Sequence, residues 1–207
     1  IVAPSMEGKT QSAFSFKRIR PLYFPLTGTD PSLPSSQEIY TNFMRLSALL
    51  IRCAKKDAFE LPLNVTAHDL KENRSRIPFW TLGFLKALVE KANSTELGAK
   101  HWLQYFAQQD GFTFEKCSIS ELGENFFTGY CLFLDEFEDG WWKIFLRNLA
   151  RVVGMICIVS NTNSKISALV GKSSSSGGQQ TLHAWSLVVT KLNHTNFMIL
   201  QHSHDDF

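Results

Sequence analysis

A parallel α/β fold is predicted from three observations. The run Tyr130-Cys131-Leu132-Phe133-Leu134 is continuously apolar and passes straight into Asp135-Glu136. A second apolar run, Gly154-Met-Ile-Cys-Ile-Val159, follows a stretch of helical periodicity, the spacing of a compact strand–helix–strand crossover. Neither run alternates apolar with polar residues, which suits strands covered on both faces by helices.

Asp135 and Glu136 end the first of these strands. Open α/β sheets bind ligands outside the carboxyl ends of their strands. An adjacent acid pair there offers one carboxylate to hold Mg²⁺ and another to activate water. A strand running into a solvated acidic turn explains the same residues without chemistry, and the rest of the chain bears on the choice.

With 207 residues, 44% of them hydrophobic, the chain has enough apolar surface for one sizeable core, or a core plus a small subdomain. A formal net charge of +2 with 19% charged residues gives no basic face of the kind nucleic acid demands. Seventeen Phe and five Trp imply a well-filled interior or surfaces that expect a partner. Cys53, Cys117, Cys131 and Cys157 show no C-x-x-C spacing, and two of them fall in strand-like runs. Reduced, buried thiols and a reducing compartment are expected. No apolar run approaches the roughly 18 residues of a membrane span. The chain opens on Ile1 in an apolar run and closes on Asp205-Asp206-Phe207, as expected of a piece of a longer protein, so a missing targeting signal says nothing of the parent. The triplets at Asn64, Asn73, Asn93 and Asn193 match the glycosylation acceptor and matter only in a secretory lumen.

In chain order, Ile1-Val2-Ala3 reads as a strand end, Pro4 to Thr10 as a tight loop and Gln11 to Lys17 as a helix start. The loop ends in Gly8-Lys9-Thr10, and Ala3 stands where the phosphate loop G-x-x-x-x-G-K-S/T has its first glycine. In such a loop the backbone of Ser5, Met6, Glu7 and Gly8 wraps the β-phosphate, and the helix N-terminus adds partial positive charge. Lys9 reaches the β- and γ-phosphates and the Thr10 hydroxyl helps bind Mg²⁺. Ala3 in place of glycine, and the negative Glu7, leave open an ordinary turn that caps a helix.

Ile19 to Leu26 is a candidate strand, which Pro21 and Pro25 place at an edge or make irregular. After a Pro/Ser/Gly loop over 27–36, the spacing of Ile39, Phe43, Leu46, Leu49, Leu50 and Cys53 predicts a helix from Ser36 to about Lys56. A short helix capped by Thr66 follows. Ile77 to Lys91 forms a buried helix with Pro78 in its first turn, and Ser94 to Gln109 another. Residues 27–110 therefore read as a mostly helical insertion or lid.

Between the two apolar strands, Trp141 to Val153 is helical, with Lys143, Arg147 and Arg151 at four-residue spacing. These cations read as a solvated face, or else Arg147 or Arg151 reaches a γ-phosphate as an arginine finger does. The second strand ends in Ser160-Asn161-Thr162-Asn163-Ser164, so both strands end in polar residues side by side. An amide or hydroxyl there orients an attacking water, or simply caps the next turn. Residues 173–180 read as a low-complexity, mobile loop and Ala184 to Leu192 as a further strand. His202, His204 and Asp205 resemble a metal-ligand cluster without partner ligands.

Strand–phosphate loop–helix, then a strand ending in Asp-Glu, then a strand ending in Asn/Thr is the order of a P-loop NTPase core in which an extra strand separates the loop strand from the acidic strand. More closely, Gly8-Lys9-Thr10-Gln11-Ser12-Ala13-Phe14, Arg20-Pro-Leu-Tyr-Phe-Pro-Leu26, Pro78-Phe-Trp-Thr-Leu-Gly-Phe84, Leu134-Asp-Glu-Phe137 and Ser160-Asn-Thr-Asn-Ser164 resemble the P-loop ATPase domain of Crinkler-type effectors of oomycetes and related eukaryotes. The resemblance spans about residues 1–192, with 193–207 a tail or the start of a following segment. It implies a secreted, host-translocated ATPase module acting in the host nucleus, joined to a C-terminal nuclease-like domain and directed at a host protein or nucleic acid, with no membrane role. Carried over by position, Gly8 and Lys9 cradle phosphate and Thr10 ligates Mg²⁺. Asp135 holds Mg²⁺ through water, Glu136 is the general base and Asn163, or Thr162, senses the γ-phosphate. The expected activity is Mg²⁺-dependent ATP hydrolysis. An ATP-binding switch with little turnover, or an interaction module without nucleotide, are the alternatives.

Overall fold

The computed structural model describes residues 18–26, 38–62, 65–94, 113–123, 125–135 and 141–160. Strands β1 (Arg20–Pro25), β2 (Tyr130–Asp135) and β3 (Ile156–Val159) form one sheet in the order β1-β2-β3. Both pairings are parallel, with Tyr23 opposite Phe133, Pro25 opposite Asp135 and Leu134 opposite Val159. The prolines of β1 are tolerated by parity. The amides of Arg20 and Leu26 donate to Gly129 and Asp135 of the β2 segment at 2.7 and 2.9 Å. Successive amides alternate in direction, so positions 21 and 25 have theirs turned away from β2, where a missing N–H costs the ladder nothing.

Between β1 and β2 lie α1 (Glu38–Phe59), α2 (Ala67–Glu72) and α3 (Trp80–Asn93), and α4 (Trp141–Val152) joins β2 to β3. Thr66 caps α2, its hydroxyl oxygen accepting from the Asp69 amide at 3.1 Å, as the sequence predicts. The start of α3 differs from expectation. Phe79 is its N-cap and pairs with Cys117 in a short antiparallel bridge, so Pro78 precedes the helix rather than occupying its first turn. Phe79 offers no capping side chain. The cap comes from α1 instead, whose Asp57 accepts from the Trp80 and Thr81 amides at 3.0 and 2.7 Å and from the Thr81 hydroxyl at 2.7 Å. The helix expected over Ser94–Gln109 falls outside the described residues beyond Ser94, the C-cap of α3.

The helices share one core with the sheet. Neighbouring residues of a strand point to opposite faces, and both faces of β1 are covered. The Tyr23 ring meets Phe43 of α1 edge-on at 5.0 Å, while Phe24 meets Phe84 of α3 at 6.2 Å. Phe79, at the head of α3, packs on Phe145 of α4 at 5.7 Å. Gly154, in the left-handed region at φ 70°, ends α4: its amide donates to Arg151 and the Met155 amide reaches back to Ala150, the paired bonds that turn a helix into a strand.

Two expectations are corrected here. β3 is not fully buried, since it lies at an edge of the described sheet and Ile156 is 56% exposed. The cations of α4 are not a solvated face either. Lys143 is 7% exposed with its ammonium 5.4 Å from the centre of the Trp142 ring, and Arg147 and Arg151 are half-buried. Among the described residues, no helix is long and apolar enough to cross a membrane.

Candidate functional site

The carboxyl ends of β2 and β3 bring Asp135 and Ser160 together. The Ser160 amide donates to Leu134 at 2.9 Å, extending the ladder one residue past β3 and setting Ser160 beside Asp135. In that register Tyr23, Phe133, Asp135, Ile158 and Ser160 project from one face of the sheet. Asp135 is 2% exposed, and its Oδ2 accepts a hydrogen bond of 2.7 Å from the Tyr23 hydroxyl. A carboxylate taken out of water needs such donors, and a phenol anchored in an aromatic cluster supplies one in a fixed direction. Ser160 is fully buried, and its Oγ has no hydrogen-bond partner among the described residues. An acid and a hydroxyl on one face at this end of a parallel sheet are groups that can hold a hydrated cation and orient a water or phosphate oxygen.

Arg147 lies on α4, and its charge, with that of Arg151, acts on the thiol of Cys157. Cys157 projects from the face opposite Asp135, with Leu132 and Leu134. Ser5, Met6, Glu7, Gly8, Lys9, Thr10, Glu136, Thr162 and Asn163 lie outside the described residues. The structure therefore places Asp135 and Arg147 and leaves the phosphate-loop half of the expected site undescribed.

The sequence reading missed Tyr23, because a tyrosine in an apolar run reads as core until the register sets it diagonal to Asp135. It also passed over Ser160 in favour of the Asn and Thr that follow. Among the described residues, no group of three or more His, Cys, Asp or Glu gathers as a metal site. The four cysteines are unbridged. Burial pushes the Cys131 and Cys157 thiols up to about 12, and those of Cys53 and Cys117 to about 11.

Comparison with known proteins gives no match, whether with a family model, a curated protein or a solved structure.

Proposed function

We propose that the chain binds a nucleoside triphosphate with Mg²⁺ and hydrolyses its β–γ bond, as a P-loop NTPase. The observation that carries this reading is Asp135: a buried carboxylate, fixed by Tyr23, ending the central described strand of a parallel sheet where such sheets bind ligands. The sequence Gly8-Lys9-Thr10 supplies the other half. Lys9 would meet the β- and γ-phosphates, and the backbone from Ser5 to Gly8 would wrap them. Asp135, with Thr10, would hold Mg²⁺, which supplies charge neutralisation on the phosphates when bound. Glu136 would take the proton of the attacking water, and Asn163, with Ser160 a second candidate, would orient it. The resemblance to Crinkler-type effector ATPase domains favours ATP. With it come the proposals of secretion, a host-nuclear site of action and a nuclease-like neighbour.

Steady-state hydrolysis by the unaltered chain and by Glu136→Gln tests the enzyme reading. Turnover that vanishes in the variant while nucleotide binding persists supports it. An unaltered chain that binds but does not turn over contradicts it in favour of a switch.

A further inference from the structure

We propose that Tyr23 is a positioning residue for the cation of the nucleotide site, holding the Asp135 carboxylate in the orientation that takes Mg²⁺. The proposal rests on the nucleotide reading and adds to it a residue that acts on the cation through another side chain.

Tyr23, Asp135 and Ser160 come from three segments of the sheet and project from one face of it. Tyr23 is fully buried and Asp135 is 2% exposed, so the 2.7 Å bond from the phenol to Oδ2 lies where water cannot replace it. The ring that carries the hydroxyl is itself held, edge-on by Phe43 at 5.0 Å and by Phe133 at 5.7 Å. A carboxylate gripped in this way cannot turn about its Cβ–Cγ bond without losing a charge-assisted hydrogen bond.

Stability alone does not ask for this arrangement. Replacing both members of a buried hydrogen-bonded pair by apolar groups of the same shape can be nearly neutral. The three residues before Asp135, Leu132, Phe133 and Leu134, are apolar and fully buried, and the run could have continued. The neighbouring hydroxyl supports the same conclusion. Ser160 Oγ is buried with no hydrogen-bond partner among the described residues, where an alanine would leave nothing unsatisfied. A carboxylate held by a fixed donor and a hydroxyl in want of a partner, side by side at the carboxyl end of a parallel sheet, suit a hard cation and its bound water. Donors that fix a ligating carboxylate from behind set the affinity of the metal as well as its place.

ATP binding by the full chain, measured by isothermal titration across a Mg²⁺ series and in excess EDTA, tests the proposal. In the unaltered chain the affinity should rise with Mg²⁺, and the rise should vanish in Asp135→Asn. In Tyr23→Phe the Mg²⁺ concentration that gives half of the rise should increase by about tenfold, with the affinity in EDTA unchanged. Phe43→Leu keeps the hydroxyl but loosens the ring, and should move the same midpoint by a smaller factor. Thr66→Ala, which removes the cap of α2, should leave that midpoint where it is, so a general loss of stability does not imitate the effect. Circular dichroism at the titration temperature establishes that each variant is folded. Equal Mg²⁺ midpoints in Tyr23→Phe, Phe43→Leu and the unaltered chain overturn the proposal and leave the nucleotide reading standing. No ATP binding by the unaltered chain overturns both.

Discussion

The Tyr23 hydroxyl donates to Asp135 Oδ2 at 2.7 Å, joining β1 to the acidic end of β2 on one face of the sheet. Tyr23 is fully buried and its ring touches Phe43 and Phe133, so the donor has little freedom. Tyr23→Phe keeps those ring contacts and removes one donor from a buried carboxylate. Stability should fall by about 1–3 kcal/mol. Urea unfolding should show a lower midpoint at unchanged slope.

Asp57 caps α3 from another helix, so its loss strands two amides and a hydroxyl at once. Asp57→Ala should cost about 3 kcal/mol, more than the Ala replacement of Thr66 on the short α2. The difference in urea midpoint between the two variants measures this.

Asp57 also sets a pH dependence. Its burial lifts the carboxyl above the ordinary value of 3.8, against the lowering effect of the Thr81 and Trp80 hydrogen bonds. The folded chain therefore keeps this proton to a higher pH than the unfolded chain does. With more protons bound in the native state, the Asp57 contribution to stability falls as pH rises from about 3.8 through the raised folded value, and is flat on either side. In Asp57→Asn that slope should be absent. Midpoints across this window, taken as the difference between the two proteins, isolate it from other groups.

Gly83 admits no side chain. A Cβ there would overlap the Glu115 carbonyl, where the strand segment carrying Cys117 crosses α3. Alanine is the better helix former by about 1 kcal/mol. Displacing backbone in a packed site costs about 1–3 kcal/mol, so the clash should win and Gly83→Ala should melt lower.

The cysteines should be slow to react. With thiols pushed up to about 11 and 12 by burial, Ellman's reagent at pH 8 should label the native chain slowly and all four sites at once in denaturant.

Local patterns carried most of the described fold. Strand β2 lies where the apolar run placed it, and α1, α2 and α4 follow their periodicities and the Thr66 cap. Pro21 and Pro25 weakened the reading of β1, because whether a strand proline matters depends on which way its amide faces, and only pairing fixes that. Lys143 was assigned to solvent by charge, yet its apolar stem lets it lie on Trp142 inside the fold. At the candidate site, Asp135 was legible as an acid ending an apolar run. Its contact with Tyr23 joins residues 112 apart in sequence and was not. The Asp57 cap likewise spans two helices, a relation no local motif encodes.

Thermal unfolding of the intact chain with and without Mg·ATP tests the central claim most directly. At a nucleotide concentration of 100 Kd the folded state should gain about 2.7 kcal/mol. The melting temperature should rise accordingly, and the rise should vanish in Lys9→Ala and without Mg²⁺. No shift at saturating Mg·ATP, or a shift that Lys9→Ala leaves intact, would contradict the nucleotide-binding account.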